Sequence, residues 1–169
     1  MLRGTNVIGL PIFLKNEEIN EHVIDWILDL QNNQLMGFIV QQGGWSGSAR
    51  ILLWENIIHI SNQSLHVDYP SPIFEMGKMI KIKQLLEEVN DFIGLKVITK
   101  EGQSLGKVVD FLFDNSSGHL SELQLRNEAA LNRKNIFMPI LTPLNQMSSF
   151  IIATPEMTAA IYENHLPEA

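Results

Sequence analysis

The chain contains no cysteine. That excludes disulfides, thiolate nucleophiles and any zinc site built on sulfur, and it fits a reducing compartment. Positive charge is also scarce: 12 Lys and Arg stand against 19 Asp and Glu, for a net charge of −7. A nucleic-acid surface needs Lys and Arg to displace counterions from phosphates, so no DNA binding is expected and RNA is disfavoured. No stretch approaches the ~20 apolar residues needed to cross a bilayer, which argues against direct membrane insertion. The N-terminus has one early Arg and a short apolar run that Pro11 interrupts, without the long apolar core of a secretory signal. The expected location is the cytoplasm.

What the 169 residues do contain is a repeat. Val23-Ile24-Asp25-Trp26-Ile27-Leu28-Asp29 returns as Val108-Val109-Asp110-Phe111-Leu112-Phe113-Asp114, 85 positions later. The same offset carries Leu35–Val40 onto Leu120–Leu125, Ile51–Leu53 onto Ile136–Met138, and Leu65–Val67 onto Phe150–Ile152. A repeat this long implies a duplicated small domain rather than a solenoid, whose units are shorter. Each unit would hold roughly 70–80 residues, near the lower limit for independent folding, so the two are expected to share an interface.

Within each unit apolar and polar residues alternate with period two, the mark of strands. Val109, Phe111 and Phe113 fall on one face, and Ile24, Trp26 and Leu28 match them in the first unit. Polar clusters at 31–34 and 115–118 then turn each strand into a hairpin. Further short strands are expected at Arg50–Leu53, Ile57–Ile60 and Leu65–Val67, and five or six such strands in a small unit suggest a β-barrel. Pro70 and Pro72 end the first unit. The spacing of Met79, Ile82, Leu86 and Val89 predicts an amphipathic linker helix. Thr154-Pro155 predicts the start of a short C-terminal helix.

Gly94-Leu95-Lys96-Val97, Glu101-Gly102-Gln103-Ser104-Leu105-Gly106-Lys107-Val108-Val109-Asp110, and then Gly118-His119-Leu120 resemble the PRC-barrel family. That family includes the barrel of the photosynthetic reaction centre H subunit and the C-terminal domain of the ribosome-maturation factor RimM. The first unit resembles it more loosely, because Glu21-His22 stands where Gly106-Lys107 stands and its N-terminal hairpin is longer. The expected fold is thus mainly β: two PRC-type barrels in tandem over 1–72 and 92–169, a linker at 73–91 with a short helix, and a short C-terminal helix. The resemblance implies a fold more strongly than a function.

No catalytic residue, metal ligand set or cofactor site is legible. Asp25 and Asp110 are equivalent strand positions expected to accept structural hydrogen bonds, since acid–base work needs both groups in one site. Asp29 and Asp114 open turns and should cap them. The histidines at 22, 59, 66, 119 and 165 show no metal-ligand spacing. Gly43-Gly44-Trp45-Ser46-Gly47-Ser48 is neither a phosphate loop nor a nucleophile elbow. Trp45 at its tip is a candidate partner contact.

Alternation leaves the first unit with a greasy outer face. If Ile24, Trp26, Leu28, Met36, Phe38 and Val40 point inward, then Val23, Ile27, Leu35 and Ile39 point outward. With Val108 and Leu112 of the second unit they form the candidate inter-domain interface, buried between the units or under residues 76–89. The basic residues that could gather into a patch are Lys78, Lys81, Lys83, Lys96, Arg126, Arg133 and Lys134, with Arg133 and Lys134 as candidate partner contacts at a hairpin tip. The expected function is a non-enzymatic protein-binding adaptor. By resemblance its partner is a membrane-associated photosynthetic complex or a ribosomal component, and homo-oligomerisation is left open. The alternative is a small-molecule or RNA-binding regulator using a groove between the barrels.

Overall fold

The computed structural model describes residues 1–15, 17–41, 49–68, 73–75, 80–88, 92–127, 135–147 and 149–163. Short β-branched and aromatic runs, cut by polar turns, make it mainly β with a few short helices. The elements run β1 (Leu2–Arg3), α1 (Gly4–Val7), β2 (Pro11–Leu14), β3 (Glu17–His22), β4 (Asp25–Asp29), β5 (Gln34–Gln41) and β6 (Arg50–Leu53). After a single 3-10 turn at Trp54–Asn56 come β7 (Ile57–Ile60), β8 (Leu65–Val67), β9 (Ile73–Glu75) and α2 (Ile80–Glu88). The second half holds β10 (Lys96–Ile98), β11 (Ser104–Phe113), β12 (Leu120–Arg126), β13 (Asn135–Pro139), β14 (Asn145–Met147), β15 (Phe150–Ile152), α3 (Pro155–Ala159) and β16 (Tyr162–Glu163).

Among the described residues these strands form three sheets. One joins β14-β15-β10-β11-β12-β13-β16, with β1 added against β11, and the others are β3-β2-β8-β7 and β4-β5-β6-β9. Pairing in the halves runs in parallel. β2 pairs antiparallel with β3 and parallel with β8, as β10 pairs antiparallel with β11 and parallel with β15. Individual hydrogen bonds also recur 85 positions apart. Gly9 N–H donates to Val23 O and Val23 N–H to Leu10 O, at 2.8 and 3.1 Å. Gly94 N–H donates to Val108 O and Val108 N–H to Leu95 O, at 2.8 and 2.9 Å.

The elements preceding each half are exchanged. Leu2 and Arg3 pair with Phe113 and Leu112 of β11, and α1 packs on the same strand. Helix α2 packs instead on β4 of the first half. Its apolar stripe, Ile82 and Leu85 with Leu86 beside them, covers Ile27 and Ile51 in a small separate core. The main core is continuous through both halves, from Val7, Ile12 and Phe38 to Phe111, Phe113 and Leu123. Ile73–Glu75, expected in the linker, pairs with β6 and extends the first half's sheet. At α3 the Thr154 side chain accepts a hydrogen bond from Met157 N–H, with Pro155 in the first turn.

Strict alternation fails at β-bulges, and two of them move residues expected on one face to the other. The β11–β12 register shifts between Val108 and Asp110, so Val108 enters the main core and Val109 does not. In the first half Ile27 pairs with Gly37 but Leu28 with Leu35, leaving Met36 as the extra residue. A bulge reverses the in/out sense of what precedes it. Met36 therefore joins Ile27 and Ile39 under α2, while Leu35 enters the main core. Val23 is likewise core, and Ile24, expected inside, is only half-buried.

Gly4 is required by this packing, because a β-carbon there would run into the Phe111 ring. We expect Gly4→Ala to destabilise the protein by about 1–3 kcal/mol through overpacking. Phe111→Asp should unfold both halves in one step, because it puts an unpaired charge in their common core. Calorimetry checks this: two separate transitions, with one retained in the variant, would contradict a continuous core.

Candidate functional site

A reciprocal set of specific contacts lies where the halves meet. Leu35 N–H donates to Gly118 O at 2.9 Å and Leu120 N–H to Asn33 O at 2.8 Å, flanking a bridge between Gln34 and His119. These partners are each other's counterparts at the 85-residue offset. The contact is therefore reciprocal, as in a two-fold interface. Gly118 holds a left-handed φ of +73°, and Trp54 closes over it. The Trp54 ring meets Phe113 edge-on at 5.9 Å, and Trp26 meets its counterpart Phe111 the same way at 5.3 Å. Asn33 completes the seam, donating through Nδ2 to Thr142 O at 3.0 Å and accepting from Leu144 N–H at 3.2 Å.

Asp25 and Asp110, 85 positions apart, differ in environment. Asp25 is exposed and accepts from Trp26 N–H at 2.8 Å, as Asp110 does from Phe111 N–H at the same distance. Asp110 is buried and also anchors α1: it accepts from Thr5 N–H at 3.0 Å and Thr5 Oγ1–H at 2.6 Å. Nearby, Trp26 Nε1–H donates to Gly4 O at 2.7 Å and Arg3 to Gln124 Oε1 at 3.1 Å. Asp25 serves a backbone donor and Asp110 backbone and hydroxyl donors, which is structural chemistry. Asp29 caps its turn through Asn32. Asp114 accepts from the Ser116 hydroxyl and from the amides of Ser117 and Ser116, which hold its carboxyl well below the usual range.

A cavity of about 480 Å³ opens in the first half, lined by Asn20, Glu21, His22, Ile24, Val40 and Arg50. Arg50 makes an ion pair with Glu21 there. A smaller apolar hollow of about 240 Å³ lies over Leu35, Met36, Leu53 and Trp54, between Gln34 and Glu55. His59 and His66, seven apart in sequence, face each other across β7–β8 with ring centroids 6.1 Å apart. The hairpin pairing creates that proximity, which sequence spacing did not signal. His66 also stacks on Phe13 at 5.1 Å and bonds Ser64 Oγ. Among the described residues no three His, Asp or Glu side chains converge as a metal site would require. Tyr162 donates to Glu122 Oε2 at 2.7 Å, and burial together with that carboxylate pushes its phenol up to about 12.

Of the residues singled out from the sequence, Trp45, Arg133 and Lys134 lie outside the described residues, as does His165. Val23, Leu35 and Val108 are in the main core. Ile27 and Ile39 pack against α2 residues. Leu112 is half-buried and pairs with Arg3 and Glu122. The structure thus divides the six interface candidates between two cores and one half-buried position inside the large sheet rather than one patch. Sequence reading missed the Thr5–Asp110 anchor, since nothing local links residues 105 apart.

Residues 86–152 match the PRC-barrel domain, so the second half of the chain carries one PRC-barrel. No curated protein matches the chain. No helix among the described residues is long and apolar enough to cross a membrane.

Two expectations follow. Asp110→Ala should cost about 1.5–3 kcal/mol, the range for hydrogen bonds to a charged group. It should also remove the hydrogen-exchange protection of the Thr5 amide, whereas protection equal to wild type would contradict the anchor. The Asp114 carboxyl should titrate below its ordinary value of 3.8 by NMR. Its folded value is depressed, so its stabilisation is full above the ordinary value and is lost as pH falls through the folded one.

Proposed function

We propose that this chain is a non-enzymatic protein-binding adaptor made of two PRC barrels in tandem, the first of them diverged. Support for the second barrel's partner lies in the register of the first half. The pairing of β2, β3 and β8 mirrors that of β10, β11 and β15. The Val23 and Val108 hydrogen bonds and the turn-capping by Asp29 and Asp114 repeat at one offset. By resemblance to the reaction-centre H subunit, the partner is a membrane-associated complex met at its aqueous face.

One observation carries the adaptor reading. Three strands that end their sheets, β7, β14 and β16, each expose a large apolar side chain. Ile58 is 65% exposed, Met147 47% and Tyr162 41%. Sheet edges offer backbone donors and acceptors to another chain, and proteins usually guard them with charge or proline. An edge that shows an apolar residue instead suits pairing with a partner. The test is sucrose-gradient sedimentation of the tagged full chain in native extract after mild detergent. Wild type should travel with a large membrane-protein complex, and Ile58→Lys/Met147→Lys should shift it toward the top. A wild-type chain that runs alone would overturn the adaptor reading, and travel with ribosomal subunits would redirect it to the RimM-like branch.

A second reading rests on the cavity beside Arg50. A charged pair in a hollow of about 480 Å³ suits a small polar ligand. That cavity lies within the first half, between β3, β5 and β6, not between two barrels. A metabolite screen by thermal shift tests it. A hit whose stabilisation survives Arg50→Ala would count against this site.

A further inference from the structure

A single cross-strand row spans six strands of the large sheet. Met147 pairs with Phe150, Phe150 with Lys96, Lys96 with Lys107, Lys107 with Arg126, and Arg126 with Asn135. Residues directly opposite in a sheet share a face. This row lies on the face away from the core, whose neighbouring positions Val97, Leu125 and Ile151 are fully buried. Lys96, Arg126, Asn135 and Met147 are exposed, with Lys107 and Phe150 half-buried among them. Three cations thus stand in line, with two apolar side chains continuing the line at one end.

The fold does not require this. In the first half the positions that match by offset and pairing are Pro11 opposite His22 and Gln41 opposite Arg50. Like charges directly opposite one another are also an unfavourable choice for a sheet. In a chain with only 12 Lys and Arg and a net charge of −7, a quarter of the cations have been set in one line.

We propose that this row is the docking site for an acidic helix of a partner protein, lying across the strands. Neighbouring strands are about 4.8 Å apart, so the three cations rise in steps close to the 5.4 Å turn of an α-helix. Carboxylates one turn apart on such a helix meet Lys96, Lys107 and Arg126 in succession, and an apolar residue a turn earlier meets Phe150 and Met147. An extended peptide repeats on one side every ~6.8 Å and would lose step with the row. The net charge of −7 argues against RNA or an anionic bilayer, whose fields act on the whole molecule. A short helix feels mainly the row, because physiological salt screens beyond about 8 Å. The proposal rests on the adaptor reading and names the chemistry of its partner.

The test uses the full chain and a labelled alanine-based helical peptide with one leucine followed, at one-turn intervals, by three glutamates. Fluorescence anisotropy should show binding that weakens as salt rises. Lys96→Glu and Arg126→Glu should each weaken it about five- to tenfold, whereas Lys81→Glu, the same charge change on α2, should stay within about twofold. All three variants should melt close to wild type, since these side chains are exposed. Absence of peptide binding, or equal binding by all variants, would overturn the proposal. So would tighter binding to phosphatidylserine vesicles or bulk RNA that the same two variants abolish. The sedimentation experiment separates the two ideas. A wild-type chain that runs alone sinks the adaptor reading, whereas co-migration that Lys96→Glu and Arg126→Glu leave intact sinks only the row.

Discussion

Two backbone hydrogen bonds hold the halves of this protein in register: Leu35 N–H to Gly118 O, and Leu120 N–H to Asn33 O. Each is worth only about 0.5–1.5 kcal/mol net, but their geometric consequence is large. They bring the turn after β4 against the turn after β11. Trp54 is then set over Gly118 and Phe113, and Asn33 against the segment at Thr142–Leu144. Only glycine serves at 118, because the left-handed backbone and the Trp54 ring both exclude a side chain.

The exchange of leading segments extends that dependence. The N-terminal strand and α1 complete β11, tied down by Thr5 to Asp110, while α2 completes β4. A unit of this size buries too little surface to be comfortably stable alone. Here each half supplies the cover the other lacks. Trp26 and Phe111 meet edge to face at the centre of the arrangement, a contact worth about 0.5–1.5 kcal/mol beyond its buried area.

On the proposed adaptor reading, a core filled this way leaves recognition to the outside of the sheets and to the hollow beside Arg50. The outer surface is uneven. Apolar side chains stand on the edge strands, and the line of cations runs over the second half without a counterpart in the first. The two halves share pairing patterns 85 positions apart but differ in their outward residues, so each presents a different face. This is the usual separation of fold from function.

Much of the architecture was legible in the amino-acid order because it is local. Alternation located β6, β7 and β8 to the residue, the Ile82–Leu86 spacing located α2, and Thr154-Pro155 located the start of α3. Asp29 and Asp114 cap their turns through residues two or three positions away, so turn chemistry alone revealed them. What alternation could not reveal was where it breaks. The bulges at Met36 and near Val109 depend on the partner strand, and each moves apolar residues from one face to the other. Nor could it show which half α1 and α2 would cover, or that Lys96, Lys107 and Arg126 would stand abreast. The sequence by itself determined the hairpin strands, their turns and their repetition, because those follow from neighbours along the chain. Only the tertiary structure decided the seam, the exchanged helices and the row of cations, because each joins residues that no local preference connects.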